Sequence, residues 1–161
     1  LYQPQICLRA KGRASRGYYE RTACRALERA IVATISGDTA QLHDLFTPDV
    51  LASGPSLHSF SREQLSMEIG RRVSAFSERK VAVAPLDVSG DQACVEWVAS
   101  GIHSGQYECD GTDPDVFVPT GRRVRLRAIT VAEFEGDQIC SIRSYWDDAT
   151  LLQDLDPAGT D

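Results

Sequence analysis

Histidine is the side chain whose ordinary pKa of ~6.5 suits proton transfer at neutral pH, and this chain has His43, His58 and His103. His103 closes a run of alternating residues and is the best candidate for acid/base work. Its competing role is a ring bonded to loop backbone. His58 lies in a Gly/Pro/Ser-containing segment, where a polar side chain faces either a ligand or solvent. His43 reads as a surface residue. Asp147 follows Trp146 and either supplies a carboxylate or caps the next helix. Period-two alternation sets it on the opposite face from Ser144. The Ser144 face also carries Ile142 and Trp146, and in an earlier run Val95, Trp97 and Ala99 share a face. Two indoles in an apolar wall suit stacking on a planar polycyclic ligand; the same residues would also fill a plain core. Arg125 and Arg127 alternate with Val124, Leu126 and Ala128. With the apolar side inward, both arginines point out, where they pair with acids or a partner subunit; the alternative is an arginine in the pocket that holds a ligand carboxylate or an enolate. The five cysteines are odd in number and form no C-x-x-C pair, so neither a zinc site nor a disulfide framework is indicated. Free, mostly buried thiols of a reducing cytoplasm are expected, with no metal and no cofactor.

The elements that must position these residues follow from length and pattern. At 161 residues the chain fits one domain, large enough for a sizeable core. A composition 42% hydrophobic and 25% charged excludes disordered, collagenous and coiled-coil chains. No apolar run approaches the ~20 residues that span a bilayer, so no membrane partner is expected, and no signal peptide is visible. A net charge of −6 argues against nucleic acid, whose phosphates need excess Lys and Arg. Residues 1–30 are the exception, with seven cations against two acids. Residues 1–17 read as a flexible basic arm, and 18–161 as the domain.

Helical spacing of Tyr19, Ala23, Ala26, Leu27, Ala30, Ile31 and Ile35 predicts a helix over 18–36, stopped by Gly37. Asp38 and Gln41 suggest a capping box for a short second helix that ends before Pro48. A short strand over 50–52 comes next. Ser61 and Gln64 form a second box, opening a helix with Leu65, Ile69, Val73 and Phe76 on its buried face. Strands are predicted over 80–88, 93–103, 121–135 and 138–146, with hairpin turns at Ser89-Gly90-Asp91 and Gly136-Asp137. Residues 105–119 read as a polar loop, and 150–155 as a closing helical turn. Helices first and a curved antiparallel sheet afterwards is an α+β arrangement. The sheet wraps the N-terminal helices as a half-open cone with a dead-end interior suited to an apolar ligand.

The stretch Gly101-Ile102-His103-Ser104-Gly105, followed by Pro119-Thr120-Gly121-Arg122-Arg123-Val124, resembles the G-x-H-x-G … P-T-G-R-x-V segment of SnoaL-like polyketide cyclases. Thr47-Pro48-Asp49, Phe134 to Ile139, Tyr145-Trp146-Asp147 and Leu151 to Leu155 extend the resemblance over roughly residues 25–156. It implies the NTF2-like cone, commonly a homodimer paired through the outer sheet face. In that fold the segment holding His58 can form a lid. The family's acid/base Asp sits on the last strand in an R-D-W-x-D context. Matched through Arg143 and Asp147, that position is Ser144. A pocket Tyr on the first helix and an Asn on the first strand match Thr34 and Ala52. The limonene-epoxide-hydrolase type on the same fold uses an Asp–Arg–Asp arrangement. Its Arg-x-Asp pair falls near Trp97 and Ala99, and its second Asp again at Ser144.

The resemblance implies a cofactor-independent enzyme that cyclises or isomerises a polyketide-like or other polycyclic substrate. His103 would then be the acid/base, with Asp147 as a possible carboxylate. Trp97, Ala99, Ile142 and Trp146, with Ala52, Thr34 and His58, would line the site. Ser144 would hydrogen-bond a carbonyl or enolate oxygen. The alternative is a non-catalytic ligand-binding or dimerisation module, because Ser144 replaces the carboxylate. Hydroxylase-like chemistry is a third option that no residue supports.

Overall fold

The computed structural model describes residues 16–55, 57–108 and 116–156. The arm expected over 1–17 lies outside them except for Arg16 and Gly17, which open the first helix. Helix α1 (Arg16–Ser36) buries Ala23, Leu27, Ala30 and Ile31, the stripe its spacing demands. Gly37 ends it at φ +78°. The Gly37 N–H donates to the Thr34 carbonyl at 3.3 Å, and the Asp38 N–H to that of Ala33 at 2.9 Å. This paired arrangement satisfies the orphan carbonyls of a helix end.

The second helical segment is shorter than its capping signal implied. It is a 3-10 turn at Thr39–Gln41 followed by α2 (Leu42–Leu45). Asp38 caps no backbone N–H, and its carboxylate instead accepts from the Gln41 amide at 2.6 Å. Strand β1 (Phe46–Gly54) then begins at once and carries Pro48 inside it. The irregular pairing between Phe46 and Leu51 takes up a residue that cannot donate to a ladder. Strand β2 (Leu57–Ser59) forms a hairpin with β1. Ser61 caps α3 (Arg62–Ser74) as its type predicts, accepting from the Gln64 N–H at 3.2 Å.

The long strands are β3 (Phe76–Ser89), β4 (Gln92–His103), β7 (Arg123–Glu135) and β8 (Gln138–Trp146). Between β4 and β7 lies a two-stranded ribbon, β5 (Tyr107–Glu108) with β6 (Val116–Phe117), where a polar loop was expected. Helix α4 (Asp148–Leu155) closes the chain. The main sheet runs β2-β1-β8-β7-β4-β3. It is antiparallel except at β1 and β8, which are parallel. An all-antiparallel sheet is therefore corrected at that one pair. The two strands are joined through most of the chain and so escape the hairpin constraint.

Helix α1 packs across β3 and β4, and α3 across β1 and β2. Wholly buried residues such as Leu27, Val50, Val95 and Ile139 form the floor of the core, each contributing about 1.5–3 kcal/mol relative to exposure. Arg125 and Arg127 point outward, and Arg127 meets Glu96 at 3.5 Å. Among the described residues no helix is long and apolar enough to cross a membrane.

Candidate functional site

The inner face of the sheet and helices α1 and α3 enclose a cavity of ≈ 180 Å³. On the same measure one water needs only ~10–15 Å³, so the space admits an organic ligand. Its wall is built by strand register. Trp97 of β4 and Trp146 of β8 both pair with Ala128 of β7, so a small residue separates two indoles on one face. Gly54 leaves room for the Trp146 ring: a Cβ there would lie 2.9 Å from it. The Trp146 indole N–H donates to the Asp148 carboxylate at 3.0 Å, which fixes the ring.

One rung along, Val95, Thr130 and Ser144 share the face. The Trp97 indole N–H donates to the Thr130 hydroxyl at 2.8 Å, and Thr130 Oγ1 and Ser144 Oγ are 2.7 Å apart. Indole is a donor only, so Thr130 is the acceptor in that first bond. Thr130 is wholly buried, and Ser144 is the acceptor within reach of its proton. A buried hydroxyl donor is satisfied when Thr130 donates to Ser144. The Ser144 proton is then left for the cavity, which Ser144 lines.

Six of the ten residues named from sequence line this cavity: Thr34, Trp97, Ala99, Ile142, Ser144 and Trp146. Thr34 spends its hydroxyl on the Ala30 carbonyl at 2.8 Å. The other four lie outside the wall. Ala52 is buried one position from Ser53, which faces the cavity in its place. His58 is exposed on β2. Asp147 is the cap of α4, accepting from the Thr150 N–H at 3.1 Å and its hydroxyl at 2.7 Å. The Thr150 bonds hold its carboxyl below the usual range.

His103 was expected at the cavity mouth. It is instead wholly buried behind the ring of Phe76, with centroids 5.7 Å apart. The alternation of β4 turns it inward, but Phe76 at the start of β3 pairs with it and stands between it and the cavity. Its Nδ1 lies 3.1 Å from the Thr120 hydroxyl, and its backbone exchanges bonds with Gly121 and Arg122. Burial lowers its pKa, partly offset by the Gly105 backbone. The ring is thus neutral at pH 7 and ties β4 to the loop that leads into β7.

Among the described residues, five polar side chains at the cavity were not singled out from sequence: Ser53, Ser100, Arg72, Arg79 and Tyr107. Tyr107 of β5 is buried between Phe76 and Phe117, and its hydroxyl accepts from the Arg72 guanidinium at 3.3 Å. Arg72 sits seven residues after Leu65 and three after Ile69, so the buried stripe of α3 already pointed to it. Tyr107 could have been found as one of two aromatics, with Phe117, flanking the acidic centre of the presumed loop. Arg79 also lines the wall, but its donors go to the Ile35, Ser36, Val73 and Phe76 carbonyls. No Asp, Glu, His, Lys or Cys is among the described residues lining the cavity. Burial, then Asp87, raises the thiol pKa of Cys24 and Cys94, which leaves them protonated and poor nucleophiles. Among the described residues no group of three or more His, Cys, Asp or Glu could hold a metal ion.

The family model described as SnoaL-like polyketide cyclase matches residues 24–155. Solved structures share the fold. A protein of Jannaschia sp. CCS1 described as SnoaL-like polyketide cyclase superposes with a TM-score of 0.74 at 17% identity, over 91% of this chain and 97% of that one. TsrD from Streptomyces laurentii gives 0.70 at 20% identity, over 92% and 100%. An LEH-like epoxide hydrolase of M. tuberculosis gives 0.63 at 15% identity, over 85% and 91%. No curated protein matches the chain.

Proposed function

The chain belongs to the SnoaL-like polyketide cyclase family, and from that premise we propose that it is a cofactor-independent enzyme that cyclises or isomerises a polyketide-like, planar ketone. The observation that carries this reading is the relay from Trp97 through Thr130 to Ser144. It supports a fixed O–H donor in an apolar wall, where a developing enolate oxygen gains far more from a hydrogen bond than it would in water. The indoles of Trp97 and Trp146 hold the flat ring system. A neutral serine hydroxyl is a donor here and no base. The position that carries Asp in the cyclases therefore stabilises charge instead of taking a proton. His103 and Asp147, outside the wall, serve the loop and the α4 cap.

The test uses β-tetralone, a bicyclic ketone, as probe. Binding is read by tryptophan fluorescence, and loss of its α-protons to D2O by NMR. The wild type accelerates the exchange, and Ser144→Ala slows it about 10²-fold. Exchange no faster than in buffer overturns the reading. Binding without exchange would favour the second reading, a ligand-binding module, which rests on the lack of a carboxylate or imidazole among the described lining residues.

A homodimer paired through the outer sheet face is part of the same proposal. Ile129 and Tyr145, paired in register and exposed there, support it. Light scattering that gives the monomer mass would end it. The free thiols of Cys24, Cys94 and Cys140 support a reducing, cytoplasmic setting, which cell fractionation tests.

A further inference from the structure

We propose that Tyr107, held by Arg72, is the proton carrier of this cavity. The inference rests on the acid/base reading above and supplies the group that reading lacks.

The chemistry of the described lining residues narrows the choice. Serine and threonine hydroxyls are far weaker acids than a phenol, whose ordinary pKa is ~10, and arginine does not give up its proton. Arg79 is further committed to four backbone carbonyls. Tyr107 is the remaining side chain that can hold and release a proton. Its phenol accepts from Arg72 Nη1 at 3.3 Å. A guanidinium that is always charged stabilises the oxygen whenever it carries negative charge. Phe76 and Phe117, with ring centroids 5.7 and 6.5 Å away, hold the phenol ring in place.

The backbone serves the same pair. The Ser104 and Gly105 N–H groups both donate to the Ala75 carbonyl at 3.0 Å, just past the end of α3. A Cβ on Gly105 would lie 2.6 Å from the Ser74 carbonyl oxygen. Only glycine lets the segment leading to Tyr107 dock on the end of the helix that carries Arg72. This joint gives the G-x-H-x-G segment a physical purpose: it fixes the phenol relative to the guanidinium.

The steps balance. Once Tyr107 has lost its phenol proton to solvent, the phenolate, paired with the Arg72 guanidinium, takes a proton from the carbon beside a ketone, and the C–H electron pair passes into an enolate whose oxygen is held by Ser144. In ring closure the enolate carbon forms a bond to a second carbonyl of the same molecule. The resulting alkoxide takes the proton back from the Tyr107 phenol. In isomerisation the proton returns to a different carbon. Either way the enzyme ends as it began, and no oxidant or cofactor is consumed.

Tyr107→Phe removes one oxygen and keeps the ring in its aromatic setting. In the β-tetralone exchange assay its rate falls at least ~10²-fold, while the fluorescence-read affinity changes less than about threefold. Arg72→Gln lowers the rate at saturating probe with little change in half-saturation, and Arg72→Lys restores most of it. A merely structural arginine would not give that pattern, and the Arg72 pair carries the test should Tyr107→Phe fail to fold. A wild type that exchanges, with Tyr107→Phe equal to it or Arg72→Gln and Arg72→Lys alike, overturns the assignment and leaves the acid/base reading standing. A wild type no faster than buffer overturns both.

Discussion

Thr130 is the residue on which the polar side of the cavity turns. It is wholly buried, accepts a hydrogen bond from the Trp97 indole N–H at 2.8 Å and stands 2.7 Å from Ser144. Thr130→Val keeps the shape and deletes the hydroxyl, leaving a buried indole N–H without its acceptor. We expect a loss of about 1–3 kcal/mol, read as a lower urea midpoint at unchanged slope, together with slower ketone exchange. His103 gives a second expectation. Its folded pKa lies below the ordinary value because it is buried. The unfolded chain therefore binds more protons once the pH drops below the unfolded value, and stability falls with it. The contribution is full above pH ~6.5 and is lost as pH falls toward the depressed folded pKa. Wild type should lose thermal stability over that range more steeply than His103→Asn, measured by calorimetry. Both residues bear on what sequence can show. The wall residues Trp97, Ala99, Ile142, Ser144 and Trp146 were legible because strand alternation assigns a face directly. His103 was not, because its ring is screened by Phe76, a residue 27 positions earlier in the chain. Alternation gives the face of a side chain and not what stands in front of it.

Among the elements, β3 shows how a local irregularity holds larger parts together. Its pairing with β4 slips between Ser77 and Lys80, and Glu78 takes φ +48° there. The bulge turns Arg79 back toward the C-terminal ends of two helices. Its guanidinium donates to Ile35 and Ser36 at the end of α1, to Val73 at the end of α3, and to Phe76 at the start of β3. A cation at the negative end of a helix dipole is favourable, and here one cation serves two. Arg79→Ala should cost about 2 kcal/mol. It should also raise hydrogen exchange at the last turns of both helices, with β7 and β8 unaffected. A uniform loss of protection across the sheet would contradict this role. Sequence marked the end of α1 through Gly37 and the caps at Ser61 and Asp147, since those signals are local. It could not mark the β3 bulge or the parallel β1–β8 pair, which depend on partners far along the chain. The ribbon of β5 and β6 was hidden for a related reason. Two paired residues per strand are too few to show a period.

For the molecule as a whole, the sheet and helices form a shell that leaves part of its interior unfilled. Among the described residues twenty-one buried ones make up the main core, yet ≈ 180 Å³ between sheet, α1 and α3 stays open. Side chains around a void lack contact partners on one side, so the cavity costs stability that a solid core would keep. A fold that retains it is trading stability for the ability to bind, and the two should respond oppositely to filling. Ala99 is the position to change. It lies on the inner face of β4, is 8% exposed and lines the cavity, while its partners Val81 and Leu126 hold the strand on both sides. Ala99→Leu extends an apolar side chain into open space, adding burial at ~25 cal/mol per Å² with no polar group disturbed. The urea midpoint should rise, by about 1 kcal/mol of stability, while β-tetralone no longer alters the tryptophan fluorescence. If the interior were instead closely packed, the same substitution would overpack it and lower stability by about 1–3 kcal/mol. The sign of one stability change therefore decides whether this shell is built around a ligand or around itself.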